Sequence, residues 1–188
     1  MTLTKALIGS NSLTTKGMMV LLGSAFIALA AQVSVPMLPV PMTLQTFAIL
    51  MVGLTFGSRL GAVTLLAYLA EGAAGLPVFA NGGMGLATLV GPTAGFLFGF
   101  VGMAFLAGLA VEKGIAKGFV STTLVAIAVS ALLYVPGILY LGIAVPKGAL
   151  WAFEVGAQPF LIGDVVKAVL AALVVTGAWK AIEARKAK

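Results

Sequence analysis

Long uninterrupted apolar runs, separated by short segments rich in glycine, proline and charge, set the pattern of this chain. The first run, residues 17–35, would reach ~28 Å as a helix at ~1.5 Å per residue, about the hydrocarbon thickness of a bilayer. Lys5 and Lys16 precede it, and Ala28-Leu29-Ala30 resembles a leader-peptide cleavage site, so a cleaved signal is the alternative. The rest of the chain is equally hydrophobic, which favours the first member of a bundle. Pro36, Pro39 and Pro41 then break any helix and predict a loop over residues 36–42, because proline has no amide hydrogen and crowds the preceding turn.

Residues 43–56 give a run of only ~21 Å, so this span is expected to be thin, tilted or partly re-entrant. Gly57, Ser58 and Arg59 separate it from a third run, residues 60–74, which ends at Gly75 and Pro77. Further spans are expected over residues 93–111, 119–145 and 159–179. The fifth carries Pro136-Gly137, an expected kink. Residues 147–158 include Trp151 and suggest a short interfacial helix.

The stretch 75–95 holds Gly82, Gly83, Gly85, Gly91 and Gly95 as well as Pro77 and Pro92, and no regular helix is expected through it. Irregular backbone at membrane depth is tolerated where it lines a cavity, so a binding loop over residues 75–92 is one reading and a flexible connector the other. It is not a phosphate cradle. Thr88 stands where the third glycine of a G-x-G-x-x-G pattern would be, and no P-loop lysine lies beyond it.

Composition agrees with the runs: 61% of the 188 residues are hydrophobic and 9% charged. The reading is an all-α integral membrane protein, a bundle of six transmembrane helices forming one domain over residues 1–188. The net charge of +6 does not mean nucleic acid, because the basic residues are scattered between apolar runs rather than gathered in a stripe. They read as topology signals. With six spans and a cytoplasmic N terminus, Lys5, Lys16, Arg59, Lys113, Lys117, Lys180, Arg185, Lys186 and Lys188 all fall inside and Lys147 outside. Both termini are then cytoplasmic.

The absence of Cys and His removes thiolate nucleophiles, imidazole metal ligands and the commonest general base. The acidic residues, Glu71, Glu112, Glu154, Asp164 and Glu183, are too dispersed for a metal cage or a paired-acid hydrolase. No enzyme, metal or cofactor is expected. Asp164 and Lys167 are the informative pair, three residues apart on one face of the last span, where buried charge is expensive. They either neutralise each other as a packing device or offer their remaining hydrogen bonds to a polar ligand. In the expected topology they lie level with both loops on the outer side. Gln45 and Asn81 would add uncharged donors and acceptors there, although an Asn beside glycines also suits a turn. Glu71 belongs to the same level, held in reserve as an interface residue. Ser24 and Ala28 form a small-x-x-x-small face for close approach of another helix, within the bundle or from a partner.

Four blocks of this sequence resemble the BioY family, the biotin-specific substrate-capture (S) components of energy-coupling-factor (ECF) transporters. They are VPMTLQTFAILMVG at 40–53, YLAEGAAGLPVFANGGMG at 68–85, GPTAGFLFGF at 91–100 and PFLIGDVVKA at 159–168. The resemblance implies the six-helix S-component fold in the bacterial cell (inner or plasma) membrane, surrounded by lipid. It implies an outward-facing pocket closed by the first and third connecting loops, binding biotin without hydrolysis. Uptake would be energised by separate partners, a transmembrane coupling protein and ATP-binding-cassette ATPases. Family binding positions carry over onto Asn81, Asp164 and Lys167, with Gln45, Phe79 and Gly82 beside them. Two departures are Ala94 and Phe96, in Gly91-Pro92-Thr93-Ala94-Gly95-Phe96 where the family commonly reads Gly-Pro-Thr-Gly-Gly-Tyr; a hydroxyl is missing at 96. The rival readings are capture of a different vitamin on the same scaffold and a small pore or structural membrane subunit.

Overall fold

A computed structural model describes Thr2 and residues 12–186, without the side chain of Lys186. Lys5 and Lys188, two of the basic residues expected on the inner side, lie outside the described residues. Among the described residues, eight α-helices carry the fold: α1 (Leu13–Gln32), α2 (Gln45–Phe56), α3 (Ser58–Ala73), α4 (Gly85–Leu89), α5 (Ala94–Glu112), α6 (Phe119–Ala144), α7 (Ala149–Gly156) and α8 (Leu161–Lys186). A two-residue antiparallel ladder pairs Ser34–Val35 with Met42–Thr43.

Helix boundaries obey local chemistry that apolar runs do not report. α1 begins ahead of its apolar run because the Ser12 side chain accepts from the Thr15 amide at 3.1 Å, an N-cap. It ends at Gln32, and Ser34–Val35 turns extended. The basic segment after Trp179 contains no helix breaker, and α8 carries it to Lys186. Gly57, at φ +89°, pivots α2 into α3. There Glu112 accepts from the Ser58 amide at 2.9 Å and its hydroxyl at 2.6 Å, placing an anion at the α3 N terminus. α6 continues through Pro136.

The expectation that no helix fits through residues 75–95 is corrected. A single 3₁₀ turn (Ala80–Gly82) and the five-residue α4 fit between its glycines, with Gly82 at φ +71° and Gly85 at φ +78°. These glycines act as joints between short helical pieces.

α5 sits centrally, packing on α2, α3 and α6, while α8 closes the bundle against α2 and α6. The core includes Ile49, Leu50, Leu65, Tyr68 and Met103, all nearly inaccessible. Outward positions remain apolar: Leu29 is 70% exposed and Leu139 64%. Helices apolar on every side belong in a nonpolar solvent. Among the described residues, four helical stretches, Leu13–Gln32, Ala94–Glu112, Phe119–Ala144 and Ala149–Arg185, are long and apolar enough to cross a membrane. α2, with 12 residues, and α3, with 16, are shorter.

Candidate functional site

A cavity of about 240 Å³ lies where the N-terminal ends of α2, α5 and α8 meet the second half of α6. This is slightly below the ~300–1,000 Å³ typical of ligand pockets, so it suits one compact molecule. The loop 37–41 and residues 80–81 form its rim. Phe96, Leu97, Phe100, Leu133 and Phe160 make the wall predominantly apolar. Phe96, the residue without the family's hydroxyl, sets its ring against Gly137, where a Cβ would collide with it.

Asp164 and Lys167 lie in this wall, their side chains 8% and 12% exposed and 2.9 Å apart. The ion pair is one edge of a larger network. Asp164 Oδ1 also accepts from Thr46 Oγ1 at 2.9 Å, and Oδ2 accepts from the Tyr134 hydroxyl. Lys167 Nζ donates in addition to the Thr43 carbonyl at 2.8 Å and to Thr46 Oγ1 at 3.1 Å. An ammonium has three protons and a carboxylate about four acceptor positions. All three Lys167 protons are therefore occupied, whereas Asp164 Oδ2, with one bond, keeps an acceptor position. The Tyr134 oxygen, having donated its proton, can also accept.

Gln45 and Asn81 contribute differently. Gln45 is buried; its Nε2 donates to the Tyr68 hydroxyl at 2.8 Å and its Oε1 accepts from Thr43 Oγ1 at 3.0 Å. It aligns the residue whose carbonyl receives Lys167. Asn81 lies at the rim with φ +56°, and its Oδ1 accepts from Ser34 Oγ at 2.7 Å. No hydrogen bond from its amide NH₂ occurs among the described residues, so two donors remain. Phe79 is buried in the wall, packed edge-on to Tyr68 and seated against Gly72.

Five of the six sequence-derived site residues thus line one cavity, and Gly82 is the exception. Its amide donates to Gln32 Oε1 at 3.0 Å, while Gln32 Nε2 donates to the Phe79 carbonyl at 3.0 Å. Gly82 fastens the loop to the end of α1 instead of contacting the cavity. Ser24 is buried at the α1–α3 interface, donating to Glu71 Oε1 at 2.7 Å, and Ala28 packs against the core. That small-residue face is used inside the bundle.

Thr46 and Tyr134 join the network without having stood out in the sequence. A signal for Tyr134 existed: a phenol within an apolar helix needs a hydrogen-bond partner when buried, and few polar groups could supply one.

The sequence model of the BioY family matches residues 4–184. Biotin transporter BioY of Thermotoga maritima is 38% identical over 151 residues, covering 80% of this chain and 88% of the relative. Biotin transporter BioY of Rhizobium etli is 39% identical over 154 residues, covering 78% and 82%. A solved S-component for biotin from an ECF-type ABC transporter superposes with a TM-score of 0.79 at 25% identity, covering 91% of this chain and 95% of that one. With the match running through both loops and the Asp164–Lys167 helix, this chain belongs to the BioY family.

Proposed function

We propose that the chain captures biotin on the outer side of a bacterial cell membrane, for uptake, as the S component of an ECF-type transporter. The observation that carries this reading is the cavity itself: a carboxylate with one acceptor position open within a predominantly apolar wall, under a rim of two loops. Biotin offers two ureido N–H donors, a ureido carbonyl, an apolar fused ring and an anionic valerate tail. A ureido N–H fits the open position on Asp164 Oδ2, and the second can reach the Tyr134 oxygen. The fused ring packs on the phenylalanine wall. The valerate carboxylate is better placed at the rim, where the free Asn81 NH₂ can donate, than beside the Asp164 charge.

Lys167 acts chiefly by balancing Asp164 and holding the Thr43 carbonyl. For it to reach the ureido carbonyl, one of its three bonds must be exchanged. Capture breaks no covalent bond, and the chain is a transporter component, not an enzyme. Inward movement then depends on an ECF coupling protein and ATP-binding-cassette ATPases, since this sequence has no P-loop of its own. In this reading α1, α2, α3, α5, α6 and α8 are the six spans, α2 being the thin one, and both termini face the cytoplasm.

The test is binding of labelled biotin to purified protein in detergent, with thiamine and riboflavin as competitors. Saturable binding displaced by unlabelled biotin alone is expected. Displacement by another vitamin at lower concentration, or no binding by well-folded protein, would overturn the assignment.

A further inference from the structure

At the far ends of α5, α6 and α8 from the biotin cavity lies a second, open recess of about 660 Å³. Lys113 at the end of α5, Lys117 in the turn after it and Lys180 on α8 line it, together with Trp179. None of the three lysines forms an ion pair among the described residues. Two carboxylates, Glu112 and Glu183, also border the recess, but Glu112 is committed to the Ser58 amide and hydroxyl. Three cations therefore face one uncommitted carboxylate. The first turn of α6 opens on the same recess at Gly118 and Phe119, adding the positive end of a 26-residue helix.

The rim is as telling as the charge. Ile115, Phe119 and Val120 are 60%, 42% and 67% exposed beside the lysines. In a membrane this apolar rim sets the lysines beside acyl chains, where a phosphate arrives attached to a lipid, and an indole at a basic recess suits the interface between headgroups and acyl chains. We propose that this recess binds the headgroup of an anionic phospholipid, its phosphate among Lys113, Lys117 and Lys180 and its acyl chains along the exposed faces of α6 and α8. The inference requires only that the chain be embedded in a membrane, and is independent of what the first cavity binds.

Trp179 gives a direct probe, because the chain contains only two tryptophans. In a Trp151→Phe background reconstituted in phosphatidylcholine bilayers, Trp179 fluorescence is quenched by lipids brominated on their acyl chains. Brominated phosphatidylglycerol should quench with a relative association constant at least about fivefold above that of brominated phosphatidylcholine, the effect of one well-placed lysine. The preference should shrink in high salt and vanish when Lys113, Lys117 and Lys180 are all replaced by Gln in protein that remains monodisperse. If the triple variant fails to insert, the lipid preference and salt response of the Trp151→Phe protein alone decide. Equal quenching by the two lipids overturns the proposal. So does full suppression of the preference by millimolar inorganic phosphate at constant ionic strength, which would mark a free-anion site. A triple variant that keeps its lipid preference but no longer assembles with its coupling protein would make the patch a protein interface and also overturn it.

Discussion

Replacing Asp164 with Asn removes one charge and almost no volume, so its consequences can be worked out bond by bond. In the parent, Asp164 receives hydrogen bonds from Lys167, Thr46 and Tyr134. The Asn amide oxygen can keep one or two of these, but its NH₂ presents donors where donors already converge. Lys167, with a side chain 12% exposed, then loses its counter-charge. Breaking a buried ion pair by removing one partner destabilises by ~3–5 kcal/mol, and losing a charge-assisted ligand contact costs ~2–5 kcal/mol in affinity. Asp164→Asn is therefore expected to weaken biotin binding between about thirtyfold and a few thousandfold. Lys167→Met should do comparable damage. The assay is calorimetric or radioligand titration, run beside a thermal melt on monodisperse protein so that loss of site and loss of scaffold are read separately. The double variant discriminates further. If the pair only neutralises itself, Asp164→Asn with Lys167→Met should recover stability and binding together; if Asp164 contacts biotin, stability recovers and binding does not. Two folded single variants that bind within about threefold of the parent, below ~0.7 kcal/mol, would refute the reasoning.

Tyr134→Phe removes the phenol oxygen proposed to accept the second ureido N–H, a neutral hydrogen bond worth ~0.5–1.5 kcal/mol, and should weaken biotin binding by about two- to tenfold in the same titration, while loss of its own bond to Asp164 lowers the melt less than Asp164→Asn does. Gly72→Ala places a methyl against the Phe79 ring and should lower stability by ~1–3 kcal/mol through overpacking, read as a lower melting temperature. Glu112→Gln weakens the anion at the α3 N terminus and should lower stability by ~1 kcal/mol with biotin affinity unchanged. For topology, a Cys introduced at Gly82 should react with an impermeant reagent added outside, and tags on the termini only after the inner side is opened; the opposite pattern would reject the proposed orientation.

The cavity residues were legible for unequal reasons. Asp164 and Lys167 stood out because charge inside an apolar run has a large free-energy cost and demands a cause, and that cost is visible without coordinates. Thr46 carries no such cost, since a threonine inside a helix can donate to the carbonyl four residues back. Only the approach of α8 shows that its hydroxyl joins Asp164 and Lys167 instead. Gln45 is legible as a polar residue at the right depth, but its bond to Tyr68 arises from tertiary packing. Asn81 is the reverse case. The suspicion that an Asn among glycines forms a turn is met by its left-handed backbone, yet its unused NH₂ still reaches the rim. Turn former and ligand donor are compatible roles here.

Helix ends were poorly legible because hydropathy reports solvent preference and caps report hydrogen bonding. Thr14, Thr15 and Lys16 are too polar to extend an apolar run, yet Ser12 caps a helix that includes them. The glycine-rich loop failed for a related reason: counting breakers over residues 75–95 measures how often the chain can turn, not how it uses each turn. Gly82 and Gly85 take left-handed φ, and the residues on either side of these joints form a 3₁₀ turn and a short helix. Those rigid pieces present the Asn81 side chain to Ser34 and the loop backbone to Gln32, tying residues 79–82 to the end of α1. The loop is thus held by α1 and by Ser34 just beyond its end, whereas the Asp164 partners among the described residues come from α2, α6 and α8.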